Sequence, residues 1–253
     1  MLRALMALAV TLVTATLIVG WLELTREPEV EIAEFTPPSE EEKEADAFEG
    51  PVFFEDERLA RAARCTVNDM ALSDGLSTEW WVRFNAMEGD PALVQQVEAE
   101  AEAGSLAAME QIAFHLASRG PEGSEADARA WMIQAAEAGS IPAINEIGYS
   151  YTHGTLGQER NLEEGVRWLL RAMEAGDPLA AANLANLYAE GAIDPPDGMD
   201  PQAASLEAHL VSASACYPPS LEVISNRLKR GRGVPRDLEA AGWIDRNLRI
   251  YRN

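Results

Sequence analysis

Basic residues are scarce in this chain. Of its 253 residues, 20 are Lys or Arg against 42 Asp or Glu, a formal charge of −22. A surface so charged repels phosphates rather than neutralising them, which argues against nucleic acid as a partner and disfavours anionic lipid head groups. Lysine occurs only at Lys43 and Lys229, and the residues three before them are Glu40 and Asn226, so there is no S-x-x-K pair of nucleophile and base. No complete G-x-S-x-G is present; "ALSDG" (Ala71–Gly75) lacks the first glycine. The three histidines, His115, His153 and His209, lie 38 and 56 residues apart without any H-E-x-x-H or Cys/His ligand spacing. The expectation is a protein without catalytic residues, cofactor, metal or small-molecule substrate.

Long apolar runs are limited to one. Ala4 to Leu22 is uncharged, with Arg3 before it and Glu23 after it. At about 1.5 Å per residue the run nearly spans a ~30 Å hydrocarbon core. Arg3 keeps the N-terminus on the cytoplasmic side and places everything after Leu22 beyond the membrane. Residues 1–22 thus read as a signal anchor of a bacterial inner-membrane protein with a periplasmic C-terminal domain. The alternative is a signal peptide cleaved after "VTA" at Ala15, leaving a periplasmic or secreted protein. Residues 23–52 follow as a disordered, self-repelling linker: Glu27 to Glu57 holds 13 acidic residues and one lysine, with prolines at 28, 37, 38 and 51.

There are only two cysteines, Cys65 and Cys216. They stand 151 positions apart, and we read them as two small buried hydrophobes. A disulfide is the alternative that an oxidising compartment would allow.

What the chain does have is repetition. "AEAGS" occurs at Ala101–Ser105 and Ala136–Ser140, and "MEAGD" at Met173–Asp177, with the glycines 35 and 37 residues apart. That is the period of a structural repeat. Four segments align after it, "MEQIAFHL", "INEIGYSY", "AANLANLY" and "LEVISNRL", beginning at Met109, Ile144, Ala181 and Leu221. Their first, fourth, fifth and eighth positions make one helical face. The fifth is always small (Ala113, Gly148, Ala185, Ser225), which suits a helix that approaches its neighbour closely. A second helix ends at each glycine, where a left-handed residue closes a helix at no steric cost, and the Ser or Asp after it can cap the next one. The tail "SACYPP" departs from this pattern, with Tyr217 aligned to the glycine position.

"GRGVPRDLEAA" (Gly231–Ala241) followed by Trp243, and the pair "AINEIGYSYTHG" and "NLEEGVRWLLRAMEAGD", resemble Sel1-like repeats, in which a G-x-G-V-x-x-D turn joins two helices. The resemblance covers about residues 91–253 and implies an all-α solenoid of stacked antiparallel helical hairpins, a tetratricopeptide-like fold. Residues 53–90 read as a helical N-terminal capping region over the first repeat, and Leu238 to Tyr251 as the terminal cap.

The function expected of such a chain is a non-enzymatic, membrane-tethered scaffold that binds a protein or peptide in a concave groove of first helices. The positions expected to face that groove are Glu110 and Phe114, Asn145 and Tyr149, Ala182 and Asn186, and Glu222 and Asn226. Amides beside aromatics suit an extended peptide. Lys229, Arg230, Arg232 and Arg236 form a basic patch able to take an acidic partner segment. The alternative is an envelope-active hydrolase, linked to β-lactams or the cell wall, on the same scaffold.

Overall fold

The computed structural model describes residues 55–71, 73 and 76–252. The expected anchor and the whole expected linker, residues 1–52, lie outside them. Among the described residues no helix is long and apolar enough to cross a membrane.

Twelve α-helices make up the described chain. They are α1 (Glu57–Ala62), α2 (Val67–Ala71), α3 (Thr78–Ala86), α4 (Pro91–Glu102), α5 (Leu106–Arg119), α6 (Glu125–Glu137), α7 (Ile141–His153), α8 (Leu162–Glu174), α9 (Pro178–Ala189), α10 (Pro201–Ser214), α11 (Pro218–Arg230) and α12 (Leu238–Tyr251). The last eight form four hairpins, each packed on the next: α5/α6, α7/α8, α9/α10 and α11/α12. Prolines within the α-helices fall in the first turns of α4, α7, α9, α10 and α11, where no backbone donor is lost.

The joints follow from local chemistry. Gly139 adopts φ +98°, and Ser140 then donates its amide back to the Ala135 carbonyl at 2.9 Å while its hydroxyl accepts from Ala143 N at 3.1 Å. One residue pair thus closes α6 and caps α7. Gly104 and Gly176 repeat this geometry. In the third hairpin the equivalent residue is Cys216, at φ +63°, and Tyr217 occupies the cap position without a side-chain cap. The alignment of Tyr217 with the glycines is therefore one residue off. The G-x-G-V-x-x-D turn resolves in the same way. Gly231 ends α11 in the left-handed region, Val234 is buried, and Asp237 accepts from the amides of Glu239 and Ala240.

The small fifth position is also explained by contact. A Cβ on Gly165 of α8 would stand 2.9 Å from the Gly148 carbonyl oxygen and 2.5 Å from Thr152 Cγ2 of α7. Backbone meets backbone there, so neither glycine has room for a side chain.

The N-terminal helices divide. α3 packs on the first hairpin: Trp80 stacks on Phe84 and meets Phe114 edge-on at 5.7 Å, and Arg119 donates to the Phe84 carbonyl. α1 and α2 do not. α1 packs on α10 and α2 on α12, burying Leu59, Ala62, Cys65 and Met70 in one cluster with Leu206, Leu210, Ala213 and Ile244. α1 and α2 are divided at Thr66, whose amide and hydroxyl both bond to the Asp69 carboxylate and start α2 afresh.

Cys65 and Cys216 are joined in a disulfide, with Cα atoms 5.5 Å apart. This corrects the reading of two unlinked hydrophobes. Their separation of 151 residues hid the fact that the arm returns to the far end of the stack. Seven residue steps link Ala71 to Thr78, a reach of about 25 Å at most, so α3, on the first hairpin, starts within that distance of the end of α2, which packs on α12. Two clusters of buried apolar residues result: one runs from Trp80 to Leu187, and the other joins the arm to α10, α11 and α12.

Candidate functional site

The boundary between these two clusters is where an open groove lies. α8 buries Gly165, Leu169 and Ala172 against α7, which leaves a second apolar row, Leu162, Val166, Leu170 and Met173, only half-buried. Two adjoining hollows of about 260 and 650 Å³ share Leu170, Tyr188 and Pro196. Together they form a trough between α8 and α10, roofed at one side by the long turn after α9. Leu184, Ala204, Ala208 and Val211 wall the smaller hollow, and Ile193 joins Leu162 and Val166 in the larger. Met199, on the turn, is 40% exposed.

Charge sits only at the ends of this trough. Arg58 of the arm bonds Glu207 of α10 at 2.8 Å at one end; Glu163, Arg167 and Asp194 stand at the other. The lining holds no nucleophile paired with a base. Its chemistry suits apolar side chains from an extended or helical segment whose backbone ends meet the charged rims.

The row expected from sequence to line a groove is divided between buried and open positions. Glu110 is buried, its Oε2 accepting from Trp80 Nε1 at 3.1 Å and its Oε1 from the Ser140 hydroxyl; burial raises its pKa, against the pull of those two bonds. Phe114 is packed under Trp80. At the first hairpin the chain's own α3 thus fills the position. Asn145 is 3% exposed, its Oδ1 accepting from Asn183 of the neighbouring first helix at 3.0 Å, and Ala182 is 5% exposed. Residues with so little exposure cannot meet a partner, because adjacent first helices pack through that row.

Tyr149 is half-buried and stacked 4.0 Å from His153, and Asn186 is exposed. Glu222 and Asn226 do face an opening, a charged cleft of about 390 Å³ shared with Lys229 and residues of α12. Ion pairs of 2.6 Å, Glu222 with Arg252 and Lys229 with Asp245, cross that cleft. Arg236 donates to the Lys229 carbonyl, while Arg230 and Arg232 are exposed.

One serine and histidine pair meets. His209 Nδ1 lies 3.0 Å from Ser220 Oγ, but both are buried, and desolvation, with Arg227 nearby, pushes the His209 pKa down to about 4. The pair joins α10 to α11 inside the fold. Among the described residues no cluster of three or more His, Cys, Asp or Glu could hold a metal.

The apolar trough was not foreseen. α8 carries more apolar positions than one buried face needs, and the turn from Tyr188 to Ala204 is longer than its counterparts; both signals were in the sequence.

The Sel1 repeat family matches residues 107–140, 141–177, 178–204 and 226–242. These are the first two hairpins, α9 with its long turn, and the centre of the fourth; the unmatched stretch includes the end of α10 with Cys216. No curated protein matches the chain. Among solved structures, it is similar to a Sel1 repeat protein from Oxalobacter formigenes, with 20% identity and a TM-score of 0.55 over 64% of each chain. It is also similar to a protective antigen of uropathogenic Escherichia coli displaying an SLR fold, with 25% identity and a TM-score of 0.51 over 63% of this chain and 33% of that one. The chain spans less than two thirds of either. With its four hairpins, their glycine joints and the G-x-G-V-x-x-D turn, the chain carries four Sel1 repeats.

Proposed function

We propose that this protein is an exported, membrane-tethered scaffold that holds an apolar segment of a partner protein in the trough between α8 and α10. Sel1 repeats are in general protein-interaction scaffolds. The observation that carries the reading is the half-exposed row Leu162, Val166, Leu170 and Met173 facing the exposed Met199 across an unfilled hollow. Exposed apolar surface of this kind, charged only at its rims, marks a contact site. The reading is of binding without turnover: among the described residues the serine and histidine in bonding distance, Ser220 and His209, are sealed in the core.

Export is supported by two independent features. The uncharged stretch Ala4–Leu22 behind Arg3 has the length of an anchor, and disulfides persist in oxidising compartments. Alkaline phosphatase fused after Asn253 should be active, and N-terminal sequencing of the mature protein separates an anchor from a cleaved signal.

The groove is tested by placing a photo-crosslinking amino acid at Leu170, at Asn226 and at the exposed Glu137 in living cells. A discrete adduct from position 170, absent from 137 and lost when Tyr188→Ala and Val166→Glu are added, is the expected result. An adduct from 226 alone would move the site to the terminal cleft. Identical adducts from all three positions would remove the groove reading.

A further inference from the structure

The walls of the trough are two helical seams. On α8, Leu162, Val166, Leu170 and Met173 follow one another at steps of four, four and three residues, and on α10 Ala204, Ala208 and Val211 at steps of four and three; all of them line the two hollows. These are the spacings by which one helix presents a stripe to another. Two of the three α10 side chains are alanines, so a third backbone can come close on that side. Neither wall offers an extended chain anything to bond, because the backbone groups inside α8 and α10 are bonded within their own helices. An extended segment would leave its N–H and C=O groups unpaired against apolar side chains, whereas a helix brings its own bonds with it. The α8 row, from Leu162 to Met173, is about 16 Å long at about 1.5 Å per residue, room for about three helical turns.

Charge at the mouth of the trough is one-sided. Both arginines that line it are already matched, Arg167 by Glu164 and Arg58 by Asp56 and Glu207. Glu163 at the rim, and Asp194 and Asp197 on the overhanging turn, are exposed and have no ion pair among the described residues. The whole turn from Tyr188 to Ala204 holds four carboxylates and no Lys or Arg, and only Asp200 among them is occupied in capping α10. An apolar floor beneath unmatched carboxylates complements a helix that is apolar on one side and cationic at its flanks, and it repels an acidic one.

We infer that the segment held in the trough is a cationic amphipathic α-helix of a partner protein, its apolar stripe laid along Leu162 to Met173 and its Lys or Arg side chains meeting Glu163, Asp194 and Asp197. This rests on the reading of the trough as the seat of a partner. The apolar stripe supplies the contact, as in other helix-in-groove sites, and the carboxylates choose among helices by charge. That choice is carried by exposed groups and so weakens as salt rises.

The test uses the full chain in zwitterionic nanodiscs, with empty nanodiscs as the blank, and three fluorescent probes followed by anisotropy at low salt. The first is an alanine-based peptide of about four helical turns, with leucines at steps of four, three and four residues and lysines beside them. The second carries Glu in place of each Lys, and the third is the Lys peptide with a proline at its centre. Wild-type protein should bind the Lys helix about tenfold tighter than the Glu helix and about tenfold tighter than the proline-broken peptide. Glu163→Gln, Asp194→Asn and Asp197→Asn together should cut the preference for Lys over Glu to about threefold or less, with the helical circular dichroism unchanged. A photoreactive residue in place of a central leucine of the Lys peptide should label α8 or α10. Equal affinity for the Lys and Glu helices, equal affinity for the intact and broken peptides, no binding of the Lys helix, or labelling confined to other elements each overturns the proposal. If the peptides show no preference while position 170 still gives its discrete adduct in cells, the seat stands and its occupant is not a basic helix. Loss of that adduct removes the seat and the proposal with it.

Discussion

Breaking the Cys65–Cys216 bond should remove a large part of the stability of the fold. The bond joins residues 151 apart, and the chain-entropy relation for a loop of that length gives about 5 kcal/mol of stabilisation at 25 °C through restriction of the unfolded chain. A compensating term sits at Cys216, whose φ of +63° is a conformation that costs a non-glycine residue about 1–2 kcal/mol. Cys216→Gly should therefore lose less than Cys216→Ala, by about 1 kcal/mol, although both abolish the bridge. The assay is urea unfolding followed by far-UV circular dichroism, with and without reductant, and with Cys65→Ser as a control that cuts the bond but keeps residue 216. With an m-value of about 2.5 kcal/mol/M, the full loss moves the midpoint by about 2 M. A loss below about 1 kcal/mol on reduction would refute the account of the arm as a cross-brace. Equal stability of the Gly and Ala variants would refute the account of Cys216 as the glycine of an otherwise regular joint.

Other consequences can be measured separately. Gly165→Ala places a Cβ 2.9 Å from the Gly148 oxygen and the Thr152 amide nitrogen, so it should destabilise by about 2–4 kcal/mol in thermal or urea unfolding, where an exposed helical Gly→Ala would stabilise. Burial raises the Glu110 pKa, so its charged form penalises the fold above that value and the penalty fades as pH falls toward 4.5. Glu110→Gln should thus gain on the wild type at pH 7 and lose that advantage near pH 4.5, whereas Glu110→Ala should lose about 2 kcal/mol by stranding the Trp80 and Ser140 donors. His209 acts in the opposite sense. Its pKa is depressed to about 4 in the fold, so stability falls as pH drops from 6.5 toward 4, and His209→Asn should flatten that slope in the same titration. Leu170→Glu should abolish the cross-link of a partner captured at the trough while leaving the helical content intact.

Local rules carried most of the fold into view. The helix stops at Gly104, Gly139 and Gly176, the caps after them, and the close packing at Gly148 are decided within a few residues, so a 35-residue period was enough to reveal the hairpins. The course of the arm was not legible, because α1 and α2 are amphipathic segments that any apolar face could receive, and their destination depends on the curl accumulated over four hairpins. Part of the row expected to face a groove is closed for a related reason. Glu110 and Asn145 have the polarity of surface residues, and only the stacking of one first helix on the next turns their row inward, where Trp80, Ser140 and Asn183 satisfy them. Glu222 and Asn226 occupy the same row and are exposed, lining the charged cleft with α12. The trough between α8 and α10 depends on how far a long turn stands from two helices, a distance that no periodicity encodes.

The bond between Cys65 and Cys216 has a topological consequence. Every peptide bond from residue 66 to residue 215 lies inside one covalent ring that takes in three of the four hairpins. A protease that cuts once within that ring, including in the exposed turn around Met199 that overhangs the trough, opens it but releases no fragment. Both sides of the trough then remain on one molecule, so a single cut costs the protein a loop and not its binding surface.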